Sequence, residues 1–373
     1  MRILALPRDS NPYQEQLYAE IRRLGTPVRY LGELTRSRTL NLLLLPFETL
    51  VMALAGWRTV HVHWVFGFTF PGAGRVPALR RLGQGWFRLW LAATRLGRAR
   101  IVWTAHNVLP HARVFHDDPA ARRALARASD LVIVHSPATV AALASLGITP
   151  STTVVLPLGP IAVGSSPGRL RVPGSTPGPR RFLFFGQVHE HKGVEDLLAA
   201  VGAVPGDRDL RVIVAGRCAD PALAARLERL ARPLGARVAL RLERIPDDEV
   251  EGLVAEADVV VLPFRRITTS SSAGLALGLA RPLLVPRLRA LDDLPDAAVA
   301  RYDGSVAGLA RALRVLAGAP PERLAAMSAA ARSHRPPGWD VIAAATLAAM
   351  RGEAGTPRPE TPGPAPVTVT GTR

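Results

Sequence analysis

Gly186-Gln187-Val188-His189-Glu190-His191-Lys192-Gly193, followed directly by Val194-Glu195-Asp196, decides the fold. An apolar run over 181–185 leads into this stretch, and an Ala/Leu-rich segment of helical spacing over 193–203 leaves it. The glycine-bracketed residues are therefore the turn of a strand–loop–helix unit. The same alternation extends in both directions. Upstream, strands are expected at 2–6, 27–31, 59–64, 100–104 and 131–135, with helices at 12–24, 40–55, 75–97 and 118–128. The second half restarts the pattern with strands at 181–185, 210–215, 237–242, 258–262 and 283–286. Helices at 193–203, 219–233, 247–256, 273–280, 305–317 and 321–333 separate them. Such alternation specifies an α/β architecture with parallel sheets, and 373 residues suffice for two full cores. The expected division is a first doubly wound, Rossmann-like domain over 1–163, a Gly/Ser/Pro/Arg linker over 164–180 and a second such domain over 181–335, the two facing a central cleft. A last helix over 336–352 and an unstructured tail over 353–373 complete it.

Charge narrows the function. A net charge of +17 and a pI near 11.5 call for an anionic partner: nucleic acid, anionic lipid or a phosphorylated small molecule. Aromatic residues make up 5%, and no zinc, RRM, KH or helix-turn-helix signature is present, so no nucleic-acid partner is expected. Cys218 is the only cysteine, which excludes an internal disulfide and suits a reducing cytoplasm. Met1-Arg2 runs straight into a short apolar strand without a secretory signal pattern. The most hydrophobic stretch, Leu40 to Trp57, is interrupted by Pro46 and Glu48, short of the roughly 20 apolar residues of a spanning helix.

Of the 47 basic residues, 46 are arginine and one is lysine, Lys192. A chain that replaces lysine everywhere else retains it on a glycine-bracketed loop at a helix start, where ammonium and helix dipole together suit a phosphate. The alternative is a turn lysine that faces water. A second candidate follows the strand at 258–262: Arg265, Arg266 and the hydroxyl run Thr268, Thr269, Ser270, Ser271 and Ser272 precede a small-residue helix. One hydroxyl suffices for an N-cap, so five with two arginines suit a diphosphate. In the first half, one strand end carries His61, His63 and Trp64, and another carries His106 and Asn107, with His111 close behind. Both deliver imidazoles to the ligand-binding edge of an α/β sheet. No metal-ligand spacing and no GxGxxG fingerprint appear, so no metal and no dinucleotide cofactor are expected.

In this order, the elements resemble the GT-B glycosyltransferases, and within them the large family 4 group. The resemblance rests on Phe185-Gly186 through Lys192-Gly193, Val212 to Gly216, and Ile245-Pro246-Asp247 through Asp258 to Pro263. Trp103-Thr104-Ala105-His106-Asn107 and Trp339-Asp340 extend it; the latter is similar to the family's terminal helix, which crosses back onto the first domain. The resemblance implies a hexosyltransferase that uses a GDP- or UDP-linked sugar as donor, with no further cofactor. It implies that Lys192 neutralises the donor diphosphate, that His106 lines the sugar and phosphate pocket, and that the Arg244-Ile245 turn lies near the nucleobase. Two departures stand out. Gln187 replaces the family's arginine beside Gly186, and the family's two glutamates fall at Ile267 and Leu275, neither acidic. The hydroxyl run in their place resembles β-mannosyltransferases and related exopolysaccharide enzymes. Asp9, His106 and Asp117 are the candidate bases for an inverting reaction, whereas a retaining route needs none.

Arg75 to Arg100 combines Arg80, Arg81, Arg88, Arg95 and Arg98 with Leu79, Leu82, Trp86, Phe87, Trp90 and Leu91. That composition suits either an interfacial membrane helix or an ordinary outer helix with solvated arginines. On the first reading the acceptor is a lipid-linked saccharide and the enzyme is a cytoplasmic one, peripheral on the anionic inner face of a membrane. The competing functions are a catalytically inactive scaffold or membrane-surface binding protein of the same fold, and a sugar-nucleotide epimerase.

Overall fold

The computed structural model describes residues 1–9, 12–109, 113–160, 171–206, 209–267, 270–334, 336–353 and 368–370. Two compact units emerge, one of 1–159 with 337–373 and one of 160–336.

In the first unit, strands β1 (Ile3–Leu6), β2 (Val28–Tyr30), β3 (Thr59–Val62), β4 (Arg100–Thr104), β5 (Leu131–Val134) and β6 (Thr152–Val155) run parallel in the order β6-β5-β4-β3-β1-β2. Helices α1 (Pro12–Arg23), α2 (Arg38–Leu54), α3 (Pro77–Leu96), α4 (Asp118–Ala128) and α5 (Pro137–Ser145) connect them. Successive strand residues point to opposite faces, so each strand feeds two cores. Val60, Val62, Ile101, Trp103, Val132 and Val134 pack with Leu42, Leu45, Phe87 and Trp90 of α2 and α3. On the other face Ile3, Ala5, Val102 and Ile133 meet Leu17 and Ile21 of α1, together with Ile342 and Leu347 of a late helix. The register pairs Leu6 with Val62, Val62 with Trp103 and Thr104 with Ile133, which brings the carboxyl ends of β1, β3, β4 and β5 level.

The second unit repeats the plan. Strands β7 (Arg180–Phe185), β8 (Leu210–Ala215), β9 (Val238–Arg241), β10 (Val259–Val261), β11 (Leu283–Pro286) and β12 (Val299–Tyr302) form a parallel sheet ordered β12-β11-β10-β7-β8-β9. Its helices are α6 (Val194–Ala203), α7 (Pro221–Ala231), α8 (Asp247–Glu256), α9 (Ser271–Gly278), α10 (Val306–Ala317) and α11 (Pro321–Ser333). Phe182, Phe184, Val212, Val214 and Val261 face one core, while Leu183, Phe185, Val260, Leu283 and Val285 face the other.

The chain then returns: α12 (Trp339–Arg351) packs on α1, placing Ile342, Ala343, Leu347 and Met350 in the first unit. Three sequence expectations need correction. Residues 171–179 of the expected linker are fastened to the second unit by the buried Asp258. Its carboxylate accepts from Arg171 Nη2 at 2.7 Å, Gly174 N at 2.6 Å and Arg181 N at 2.8 Å. Residues 161–170 of that stretch lie outside the described residues. The expected unstructured tail contains a strand, β13 (Thr368–Thr370), antiparallel to β6, where a β-branched triplet meets an open sheet edge; 354–367 and 371–373 lie outside the described residues. Finally, β6, β12 and α5 belong to no expected element.

Candidate functional site

In the second unit the site forms at the carboxyl ends of β7 and β10. Gly193, at φ +71°, closes the Lys192 loop so tightly that a Cβ would overlap the Pro263 carbonyl oxygen. Glycine is needed there both for the left-handed backbone and for the close approach. Arg265 N donates to His191 O at 2.9 Å, which joins the loops after β7 and β10. Lys192 Nζ comes to rest 4.5 Å from the centre of the Phe264 ring.

Every acidic neighbour of Lys192 is already engaged. Glu190 and Glu195 both bind Arg226 at 2.9 Å, and Asp196 receives Arg265 in a two-pronged pair, 2.7 Å on each arm. Among the described residues no carboxylate pairs with Lys192. Burial lowers its pKa to about 8, and the face of Phe264 favours the ammonium in the opposite sense. At neutral pH this is a half-buried, unpaired cation at the opening of α6, the electrostatic complement of a phosphate.

The other expected residues of this unit separate. Gly186, at φ +115°, lies against Ser272, whose Oγ is 3.4 Å from the Phe185 carbonyl oxygen. Ser270 caps α9, accepting from Ala273 N at 3.1 Å, and Ser271 is exposed at the helix start. Thr268 and Thr269 lie outside the described residues. Gln187 Oε1 is 3.1 Å from His189 Nε2. Arg265 holds Asp196 and so fastens the loop instead of extending toward a ligand. The Ile245 side chain is buried in the core with Leu183, Phe185 and Val254, leaving only the exposed Arg244 of that turn to meet a ligand. Leu275 is likewise core, so no carboxylate occupies the position of either family glutamate.

The first unit gathers imidazoles instead. Thr104 Oγ1 lies 2.8 Å from His61 Nε2, and His61 Nδ1 is 2.9 Å from Tyr18 Oη. Tyr18 Oη is in turn 2.7 Å from His63 Nε2. His63 Nδ1 meets His106 Nε2 at 3.0 Å, His106 Nδ1 meets His135 Nε2 at 3.2 Å, and His135 Nδ1 ends on the Leu156 carbonyl oxygen at 3.0 Å. Tyr13 covers the chain edge-on, its ring centre 4.7 Å from that of His106, and its hydroxyl bonds Thr104. Burial lowers every imidazole pKa, to about 3 for His61 and about 4 for His135, with mutual repulsion adding to the effect at His63 and His106. His135, Tyr13 and Tyr18 were not among the expected site residues. His135 closes β5 just as His106 closes β4, so the strand-end criterion itself reaches it.

His106 also stacks on Trp64, 4.6 Å between ring centres at 18°. Trp64 lines a pocket of about 440 Å³ at the ends of β1 and β3, together with Arg8, Asp9, Arg38, Asn41 and Phe68. The Asp9 backbone N–H donates a hydrogen bond to Gln14 Oε1 at 2.9 Å, which fixes its backbone at the pocket wall. Asp117 is not at this site: it caps α4, accepting from Ala120 N at 2.9 Å. Asn107 follows His106, half-buried, and His111 lies outside the described residues. No group of three or more His, Cys, Asp or Glu side chains among the described residues is arranged to hold a metal ion.

The aromatic face of α3 is not interfacial. Phe87, Trp90 and Leu91 are buried, and Trp86 Nε1 donates to Leu42 O at 2.7 Å. Exposed apolar residues lie instead on α2, at Leu40, Leu43, Phe47, Val51 and Leu54, and on α3, at Leu82, Leu89 and Leu96. No described helix is long and apolar enough to cross a membrane.

Residues 179–318 match the family described as Glycosyl transferases group 1. A stretch of 112 residues is 35% identical to the GDP-mannose:glycolipid 4-beta-D-mannosyltransferase of Xanthomonas campestris pv. campestris, covering 30% of this chain and 32% of that protein. The match thus spans about a third of the length of this curated relative. The fold resembles that of sucrose-phosphate synthase from Thermosynechococcus elongatus, with a TM-score of 0.70 at 18% identity over 94% of this chain and 98% of that one. It also resembles Anabaena HepE, solved in complex with UDP, with a TM-score of 0.66 at 14% identity over 94% and 99%. The chain has the GT-B fold.

Proposed function

We propose that this chain, whose residues 179–318 match the group 1 glycosyl transferases, transfers a hexose from a nucleoside-diphosphate sugar to a lipid-linked saccharide. The observation that carries the reading is the unpaired Lys192 ammonium, held on a glycine-closed loop at the opening of α6 while arginines engage each neighbouring carboxylate. Fold likeness alone would not distinguish a transferase from its many relatives, whereas a desolvated cation at a helix start selects a diphosphate. In transfer, Lys192 and the backbone N–H groups of the loop and α6 stabilise the charge that develops on the departing nucleoside diphosphate. Gly186, Gln187, Ser270, Ser271, Ser272 and Arg244 supply further donors around the phosphates and nucleoside, with Thr268 and Thr269 completing the hydroxyl run.

The acceptor belongs to the Trp64 pocket of the first unit; of the two carboxylates lining it, Glu33 pairs with Arg8 at 3.4 Å, and Asp9 takes the proton of the attacking hydroxyl. GDP-mannose and a glycolipid acceptor, for which the Xanthomonas relative is named, are the first pair to assay. The exposed stripe on α2, at helical i, i+3 and i+7 spacing and beside the arginines of α3, docks on an anionic membrane surface where such an acceptor resides.

Calorimetry with UDP, GDP and dTDP against wild type and Lys192→Ala tests the donor site. One nucleotide is expected to bind selectively, and the variant to bind it about 10- to 100-fold more weakly. Absence of binding to all three nucleotides would refute the transferase reading.

A further inference from the structure

The histidine chain has a direction, and the far end sets it. The Leu156 carbonyl only accepts, so His135 Nδ1 carries a proton and, in the uncharged ring, Nε2 does not. His106 Nδ1 must then donate to His135, leaving His106 Nε2 to accept from His63 Nδ1. His63 Nε2 accepts from the Tyr18 hydroxyl, Tyr18 Oη accepts from His61 Nδ1, and His61 Nε2 accepts from Thr104. All four imidazoles are therefore Nδ1–H tautomers. To take up a proton at His106, every bond from His63 back to Thr104 would have to reverse. The groups facing His106 are His63 after β3, His135 after β5, Tyr13 of α1 and Trp64, and none is a carboxylate that would offset the new charge. With both nitrogens occupied, His106 offers its ring plane, and Trp64 lies on it.

We propose that the buried histidine chain is a positioning device: it holds His106 in one tautomer as a brace behind Trp64, whose indole receives a pyranose face of the acceptor, and His106 takes no proton in the reaction. The acceptor part rests on the transferase reading, whereas the tautomers do not. His61, Tyr18, His63 and His135 are positioning residues on this view, since they act through His106 and Trp64.

Long-range ¹H–¹⁵N NMR of the histidine rings between pH 5.5 and 8 tests the chain directly. Four imidazoles are expected as Nδ1–H tautomers that do not titrate; an Nε2–H form at His106, or its titration in that range, would overturn the proposal. His135→Gln keeps a donor for Leu156 and an acceptor for His106, so the His106 tautomer is retained, while His135→Ala abolishes it. Equal spectra for the two variants would contradict the assigned direction. Should His135→Ala fail to fold, Tyr18→Phe keeps the packing and is expected to release the fixed tautomers of His61 and His63. In a transfer assay, His106→Gln is expected to raise KM for the acceptor more than it lowers kcat and to keep the acidic limb of the pH profile. Loss of that limb in His106→Gln would make His106 the base and end the proposal. The expected spectra without any transfer would count against the transferase reading alone.

Discussion

Lys192 and His106 stand at corresponding places, each just beyond the carboxyl end of a central strand of its own sheet, and their surroundings partner them in opposite ways. Around Lys192, the arginines engage the neighbouring carboxylates and leave one ammonium with no carboxylate partner among the described residues. Around His106, each polar atom finds another, and no ring nitrogen remains for a ligand. A buried group without a partner is costly and persists where a ligand completes it; a saturated network is rigid and serves as support. The comparison identifies the second unit as the place where charge is offered and the first as the place where shape is held.

Acid is the strongest test of that contrast. Folded-state pKa values of the four histidines lie below the roughly 6.5 of an unfolded histidine, so the unfolded chain binds more protons as pH falls. Stability is complete above about pH 6.5 and is lost toward about pH 4, by roughly 1.4 kcal/mol per pH unit for each proton taken up. Denaturant titrations at a series of pH values should show this slope, and His61→Gln or His135→Gln should flatten it. Lys192 acts with the same sign in a higher window. With a folded pKa of about 8 against an ordinary 10.5, it detracts from stability below pH 8, and that cost disappears between pH 8 and 10.5.

Next in size is Gly193→Ala. A side chain at φ +71° costs about 1–3 kcal/mol in backbone strain, and its Cβ also meets the Pro263 carbonyl. Both lower Tm and nucleotide affinity are expected, which calorimetry reads in one sample. A smaller effect separates charge from shape at the same loop. Nucleotide affinity in wild type should decline as pH rises through about 8, where Lys192 loses its proton, and this dependence should be absent in Lys192→Ala. Smallest in stability is Phe47→Asp, expected to change unfolding free energy by no more than about 0.5 kcal/mol. The same change should weaken binding to anionic vesicles in a flotation assay; unchanged flotation would remove α2 from the docking surface.

The alternation of strands and helices was legible because its period is local, and Lys192 because a composition that excludes lysine elsewhere marks it. Partnerships were not. Arg265 and Asp196 are 69 residues apart, and nothing in either segment distinguishes a latch from a phosphate ligand. The half-buried Trp86 and the buried Phe87 and Trp90 show the same difficulty: an amphipathic helix with arginines has the same composition whether its aromatic face meets lipid or α2. The edge strands β6 and β12, four residues each, are too short for their periodicity to stand out. His135 could have been read from its place at a strand end, but the link from β3 through Tyr18 of α1 exists only in three dimensions.

Lys192 also gives the molecule a chemical singularity. It is the only side-chain primary amine in 373 residues, and burial over Phe264 brings its pKa to about 8. An acylating or reductive-alkylating reagent at mildly alkaline pH therefore meets an amine that is both unique and partly deprotonated, with only the chain's α-amino group as competitor. A single mass increment on one tryptic peptide would report whether the loop is open or occupied, so that a bound nucleotide becomes visible as protection against a covalent label.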